Sequence, residues 1–165
     1  MTERALLASA TDTISAAVLA RITSPVPTRY RLLEDGRKSP IYVYCALDTL
    51  EYAMIAQRPF RILAAPPVGP SIQFALTSAG PTASALRISA VIPEHLSALP
   101  SVTAMPSRCC PYTHFFVSRQ AYETWWGTLP DRLQRCIECV PLREAWAQAH
   151  RAISGYQTSQ SCECR

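Results

Sequence analysis

Between residues 59 and 93 the chain reads "PFRILAAPPVGPSIQFALTSAGPTASALRISAVIP", short apolar runs cut apart by proline and glycine. This punctuation excludes a long helix, because each proline lacks a backbone donor and blocks helical continuation. "FRILAA", "SIQFALTS" and "ALRISAVIP" therefore read as strands, and "THFFVS" as a further one. Upstream, "RYRLLEDGRKSPIYVYC" has the form of a hairpin, two apolar segments joined by a polar turn at Asp35-Gly36.

The flanks follow a different period. Residues 3–22 place Leu6, Leu7, Ala10, Ile14, Ala17, Val18 and Ile22 at helical spacing, and "TSPVPT" ends that helix. "ALDTLEYAMIAQ" is rich in helix formers and should stay helical until Pro59. "SRQAYETWWGTL", capped by Ser118, and "PLREAWAQAHRAI", opening at Pro141, complete the helices. Strands in the middle and helices at both ends define an α+β fold with a small, mainly antiparallel sheet. The chain divides into an N-terminal helix and linker (1–29), a core (30–154) and a polar tail (155–165).

Hydrophobic residues make up 48 % and charged residues 17 % of 165, a composition that can fill a core. The net charge of +4 comes from scattered arginines, with no basic block interleaved with aromatics, so a nucleic-acid partner is not expected. Glu3, Arg4 and Asp12 interrupt the apolar start, and no run approaches a bilayer span. A soluble, cytoplasmic protein without a membrane partner is the expectation.

Seven cysteines, at 45, 109, 110, 136, 139, 162 and 164, then need a role other than disulfides, since a reducing compartment keeps them free. In "IYVYCALDTL", Cys45 stands where an apolar run gives way to a helix, and Asp48 follows three residues later on the same face. Free amides and the positive end of the helix dipole should favour the Cys45 thiolate. The alternative is a buried small hydrophobe beside an ordinary first-turn acid. In "SRCCPYTHFFVS", adjacent cysteines are hard to bridge, and in an extended segment only one of them faces a given pocket. His114 is either a ligand or base, or a satisfied structural residue.

Taken together, "YVYCALDTL" and "RCCPYTHFFVS" resemble the organomercurial (alkylmercury) lyase family, whose signature pairs a Cys-Ala-Leu-Asp helix start with a Cys-Cys-x-x-x-His-Phe-Phe strand. The resemblance extends from about Tyr30 to about Ile153 and covers the core, with the N-terminal domain common in the family shortened. It implies that Cys45, Asp48 and Cys109 are catalytic, with Cys45 and Cys109 holding mercury, Asp48 a possible further ligand, and Cys110 the less used neighbour. The implied reaction is protonolysis of a carbon–mercury bond, giving a hydrocarbon and thiolate-bound Hg(II), for detoxification. Mercury arrives with the substrate, so no resident cofactor is expected. Cellular thiols and a mercuric reductase are the expected acceptors of Hg(II). Reduction within this chain is not expected, because its five glycines form no G-x-G-x-x-G.

A competing reading is a soft-metal (Hg, Cu, As) thiolate-binding protein of the same fold that breaks no carbon bond. "CIEC" at 136–139 has metal-type spacing but no second pair to complete a zinc site, so buried structural cysteines are expected there. Cys162 and Cys164, in the tail, are candidate hand-off thiols for Hg(II).

Overall fold

A computed structural model describes residues 15–159, with side chains described as far as residue 153. The N-terminal part of the expected first helix and the Cys162–Cys164 pair lie outside these residues. The chain is helical over residues 15–22 (α1), then forms β1 (Thr23–Ser24), β2 (Tyr30–Leu33) and β3 (Ile41–Val43). Next come α2 (Ala46–Ala56), β4 (Phe60–Ala64), β5 (Ile72–Thr77), β6 (Gly80–Pro81) and β7 (Arg87–Val91). A short β8 (Phe115–Phe116), α3 (Arg119–Trp126), α4 (Asp131–Gln134), β9 (Ile137–Pro141) and α5 (Leu142–Ser159) complete the order.

The structure is α+β as expected, but the strands form two sheets rather than one. Six are ordered β1-β3-β2-β4-β5-β6 and three β8-β7-β9, with every pairing antiparallel. Alternation along β2, β4 and β5 turns Leu32, Ile62, Phe74 and Leu76 inward and Arg31, Arg61 and Gln73 outward. The inward row packs against Leu50 and Ala53 of α2 and Trp146 of α5. A second core gathers Phe116, Tyr122, Trp125, Leu133 and Ile137 between the small sheet, α3 and α4.

The hairpin joins β2 to β3 with Leu32 opposite Ile41, and Gly36 supplies positive φ in its turn. Ser118 caps α3 by accepting from the Ala121 N–H at 3.1 Å. The "CIEC" segment contributes a strand that the sequence reading did not foresee. Its Ile137 joins the second core and its Val140 the first, on opposite faces of the strand, while Glu138 is exposed.

Gly80 has φ +108°, and a Cβ there would lie 3.1 Å from the Trp146 indole. Gly80→Ala should therefore cost about 2 kcal/mol from backbone strain and crowding together. A lowered urea midpoint would register it; a parent-like midpoint would mean that α5 moves aside freely.

Candidate active site

The site begins where β3 hands the chain to α2. Cys45 takes extended backbone angles (φ −148°, ψ 176°) as the N-cap residue, and its N–H donates to the Asp48 carboxylate at 3.2 Å. Asp48 thus occupies the third helical position and folds back over the helix start, which satisfies one of the free amides there. Both side chains are buried, at 1 % and 6 % exposure. Thr49 fixes the same turn by donating to the Cys45 carbonyl at 3.1 Å.

The other half comes from residues 109–114. Here the backbone is a 3-10 turn (Cys110–Tyr112), not the extended segment expected, and it leads into β8. At about three residues per turn, neighbouring side chains diverge by roughly 120°. Cys110 consequently points inward, 2 % exposed, and its thiol donates to Asp48 Oδ2 at 3.8 Å. The Cys45 and Cys110 sulfurs and an Asp48 oxygen all lie within 4.8 Å of one another. Cys109, the residue assigned to this place from sequence, is half-buried and outside that triple. The geometry brings Cys110 to Cys45 and Asp48 instead.

Several bonds clamp this turn to the rest of the molecule. The Thr113 carbonyl accepts from the Ala46 N–H at 3.2 Å, joining the two halves directly. Ser89 of β7, fully buried, donates to the Tyr112 carbonyl at 2.7 Å and accepts from the His114 N–H at 2.8 Å. Tyr30 and Ser89 were not singled out in the sequence. The only available signal for Tyr30 was an inward strand position, where a buried phenol hydroxyl requires a partner.

Burial and mutual proximity set the electrostatics. Cys45 is pushed well above the usual thiol range, by burial first and then by the Cys110 thiol and the Asp48 carboxyl. The helix N-terminus does not overcome this, so the thiol form of Cys45 is favoured over the expected thiolate. Burial also raises Asp48, against the hydrogen bonds from Cys45 and Cys110 that lower it. Glu51, one turn further along α2, is raised to about 7 by burial and then by Asp48, with Arg21 opposing. A closely set pair of thiols with a carboxyl reluctant to ionise can bind a soft cation and retain a proton beside it.

His114 takes the structural role. Its Nδ1 hydrogen-bonds the Tyr30 hydroxyl and its Nε2 lies 3.0 Å from the Pro111 carbonyl, with the ring stacked on Tyr30 and edge-on to Trp125. Burial lowers it to about 4, so the ring stays neutral. Below pH 6.5 the unfolded chain takes up the proton that the folded chain refuses. Stability is thus complete above pH 6.5 and should fall by about 3 kcal/mol as pH drops through 4. Urea unfolding from pH 7 to pH 4 should show this slope, and His114→Gln should remove it; an unchanged slope in that variant would contradict the assignment.

In the "CIEC" segment, Cys136 is buried with its thiol donating to the Arg132 carbonyl at 3.1 Å, while Cys139 is half-buried on β9. Among the described residues, Cys45, Asp48 and Cys110 form the one group of three potential ligands. No helix among the described residues is long and apolar enough to cross a membrane.

Fold and site define a class: an α+β scaffold whose helix start and distant turn assemble a buried dithiol–carboxyl centre suited to soft metals. The alkylmercury lyase family model (MerB) matches residues 23–154, and the chain belongs to that family. A solved structure, titled as the mercury-bound form of MerB2, shares the fold with a TM-score of 0.58 at 16 % identity. That match covers 95 % of this chain and 82 % of the other. No curated protein matches the chain.

Proposed function

We propose that the protein cleaves the carbon–mercury bond of organomercurials by protonolysis at Cys45, Cys110 and Asp48. The observation that carries this reading is the convergence of two buried sulfurs and one carboxyl oxygen within 4.8 Å, in a chain of the alkylmercury lyase family. Mercury is the substrate's own atom and needs no resident metal.

The Cys45 thiol exchanges with the ligand X of R–Hg–X, forming S–Hg–R and releasing HX. The Cys110 thiol passes its proton to the Asp48 carboxylate, already its hydrogen-bond acceptor, and the freed thiolate adds to mercury. Electron density moves onto carbon, the Asp48 carboxyl protonates it, and R–H departs. The raised Asp48 suits it to hold that proton. Hg(II) remains on two sulfurs until two small thiols displace it, returning one proton to each cysteine.

A soft-metal trap of the same fold is less well supported, because a hard carboxyl adds little to a dithiol site unless a proton must be delivered. Incubation with phenylmercury and excess small thiol separates the two readings. Benzene formed over many turnovers is the expected result; stoichiometric mercury uptake without benzene would favour the trap. The tail thiols Cys162 and Cys164 remain candidates for Hg(II) hand-off, and a cytoplasmic setting with abundant small thiols suits product release.

A further inference from the structure

We propose that Glu51 is a specificity-determining residue that turns the site against organomercurials whose organic group carries a carboxylate, in favour of neutral ones. The inference rests on the lyase reading, with Cys45 capturing mercury and Asp48 giving the proton to carbon. It holds for either thiol of the 109–110 pair. Asp48 fixes where the organic group lies. Its carboxyl must reach the mercury-bound carbon, so the rest of that group extends along the face of α2 that Asp48 presents. Glu51 is the next residue on that face, three positions on, where Cβ atoms stand about 5–6 Å apart.

Burial marks the side of entry. Cys45 and Asp48 are buried, whereas Glu51 and, in the facing turn, Cys109 are half-buried. The Asp48 and Glu51 carboxyls both act on Cys109, so Glu51 lies with Asp48 on the side of α2 turned toward that segment. No cation neutralises Glu51 at close range: the ion pairs among the described residues are Arg58–Glu34 and Arg119–Glu123. Arg21 of α1 attracts it from further away, but burial and Asp48 outweigh that attraction and raise Glu51 to about 7. When Asp48 holds the proton for carbon it is neutral, and Glu51 is then the charge that a substrate carboxylate faces. At an effective dielectric of about 20, two like charges within several ångströms disfavour each other by about tenfold or more. The net charge of +4 would by itself draw anionic substrates in, so their rejection would mark a local effect.

The test compares phenylmercury, 4-mercuribenzoate and the neutral 4-mercuribenzamide as substrates of the full chain. Excess 2-mercaptoethanol, an uncharged thiol, is present, and a pH of about 8.5 keeps Glu51 ionised. Parent kcat/KM should be lower for the benzoate than for the other two by about tenfold or more. Glu51→Gln should bring all three within about twofold, and Arg21→Gln should widen the parent's ratio. Ratios cancel any loss of folding or catalysis common to the three compounds. Arg21→Gln, at an exposed position, is an independent arm if Glu51→Gln does not fold. Equal parent values, a ratio unmoved by both substitutions, or a benzamide rejected as strongly as the benzoate would overturn the proposal. A parent that releases no benzene from phenylmercury would defeat the lyase reading instead. The same ratios, read from the rate at which each compound consumes the Cys45 thiol, would then still decide the role of Glu51.

Discussion

Replacing Asp48 with asparagine should leave organomercurial capture near the parent level and reduce hydrocarbon release by about 10²–10⁴-fold, the usual worth of a positioned general acid. The substitution is conservative where it needs to be. An asparagine oxygen can still accept from the Cys45 N–H, so the helix start should keep its form. What disappears is a side chain that takes the Cys110 proton and returns it to carbon. Single-turnover mixing with methylmercury, following thiol loss and methane separately, reads both steps. Methane release at the parent rate would remove Asp48 from the mechanism.

The second large effect concerns which thiols matter. Cys45→Ser and Cys110→Ser should each reduce turnover by at least about 100-fold, because a hydroxyl is a hard, weakly acidic group with little affinity for mercury. Cys109→Ser should stay within about threefold of the parent, as for a side chain outside the cluster. This pattern reverses the assignment drawn from sequence, which favoured Cys109. Steady-state hydrocarbon production by the three serine variants decides it. Equal losses at 109 and 110 would mean that the turn rearranges to present both sulfurs, and a loss at 109 alone would restore the sequence assignment.

That Cys110 rather than Cys109 lies beside Cys45 and Asp48 marks what the sequence could convey. Proline and glycine punctuation delimited β4, β5 and β7, and the hairpin and the span of α2 followed from turn residues and helix formers. The pairing of Cys45 with Asp48 was legible too, because an i, i+3 offset is a local property of any helix. Choosing between Cys109 and Cys110 was not local. It depends on whether residues 109–112 are extended or wound into a 3-10 turn, which is fixed by the Ser89, Tyr30 and Ala46 bonds from distant segments. The charge state of Cys45 failed for a related reason. A helix N-terminus favours thiolate, but burial beside another thiol and a carboxyl opposes it more strongly, and only the folded arrangement reveals those neighbours. β9 escaped notice because its two buried residues, Ile137 and Val140, face opposite sides of the strand and adjoin cysteines whose spacing suggested metal chemistry.

On the proposed mechanism, a proton exchangeable with solvent passes through this cluster to mercury-bound carbon. Mass spectrometry of the headspace over the protein, methylmercury and excess small thiol in D2O tests it most directly. Methane carrying a single deuterium, produced over many turnovers, is the expected result. Mercury held stoichiometrically with no methane, or methane without deuterium, would contradict it.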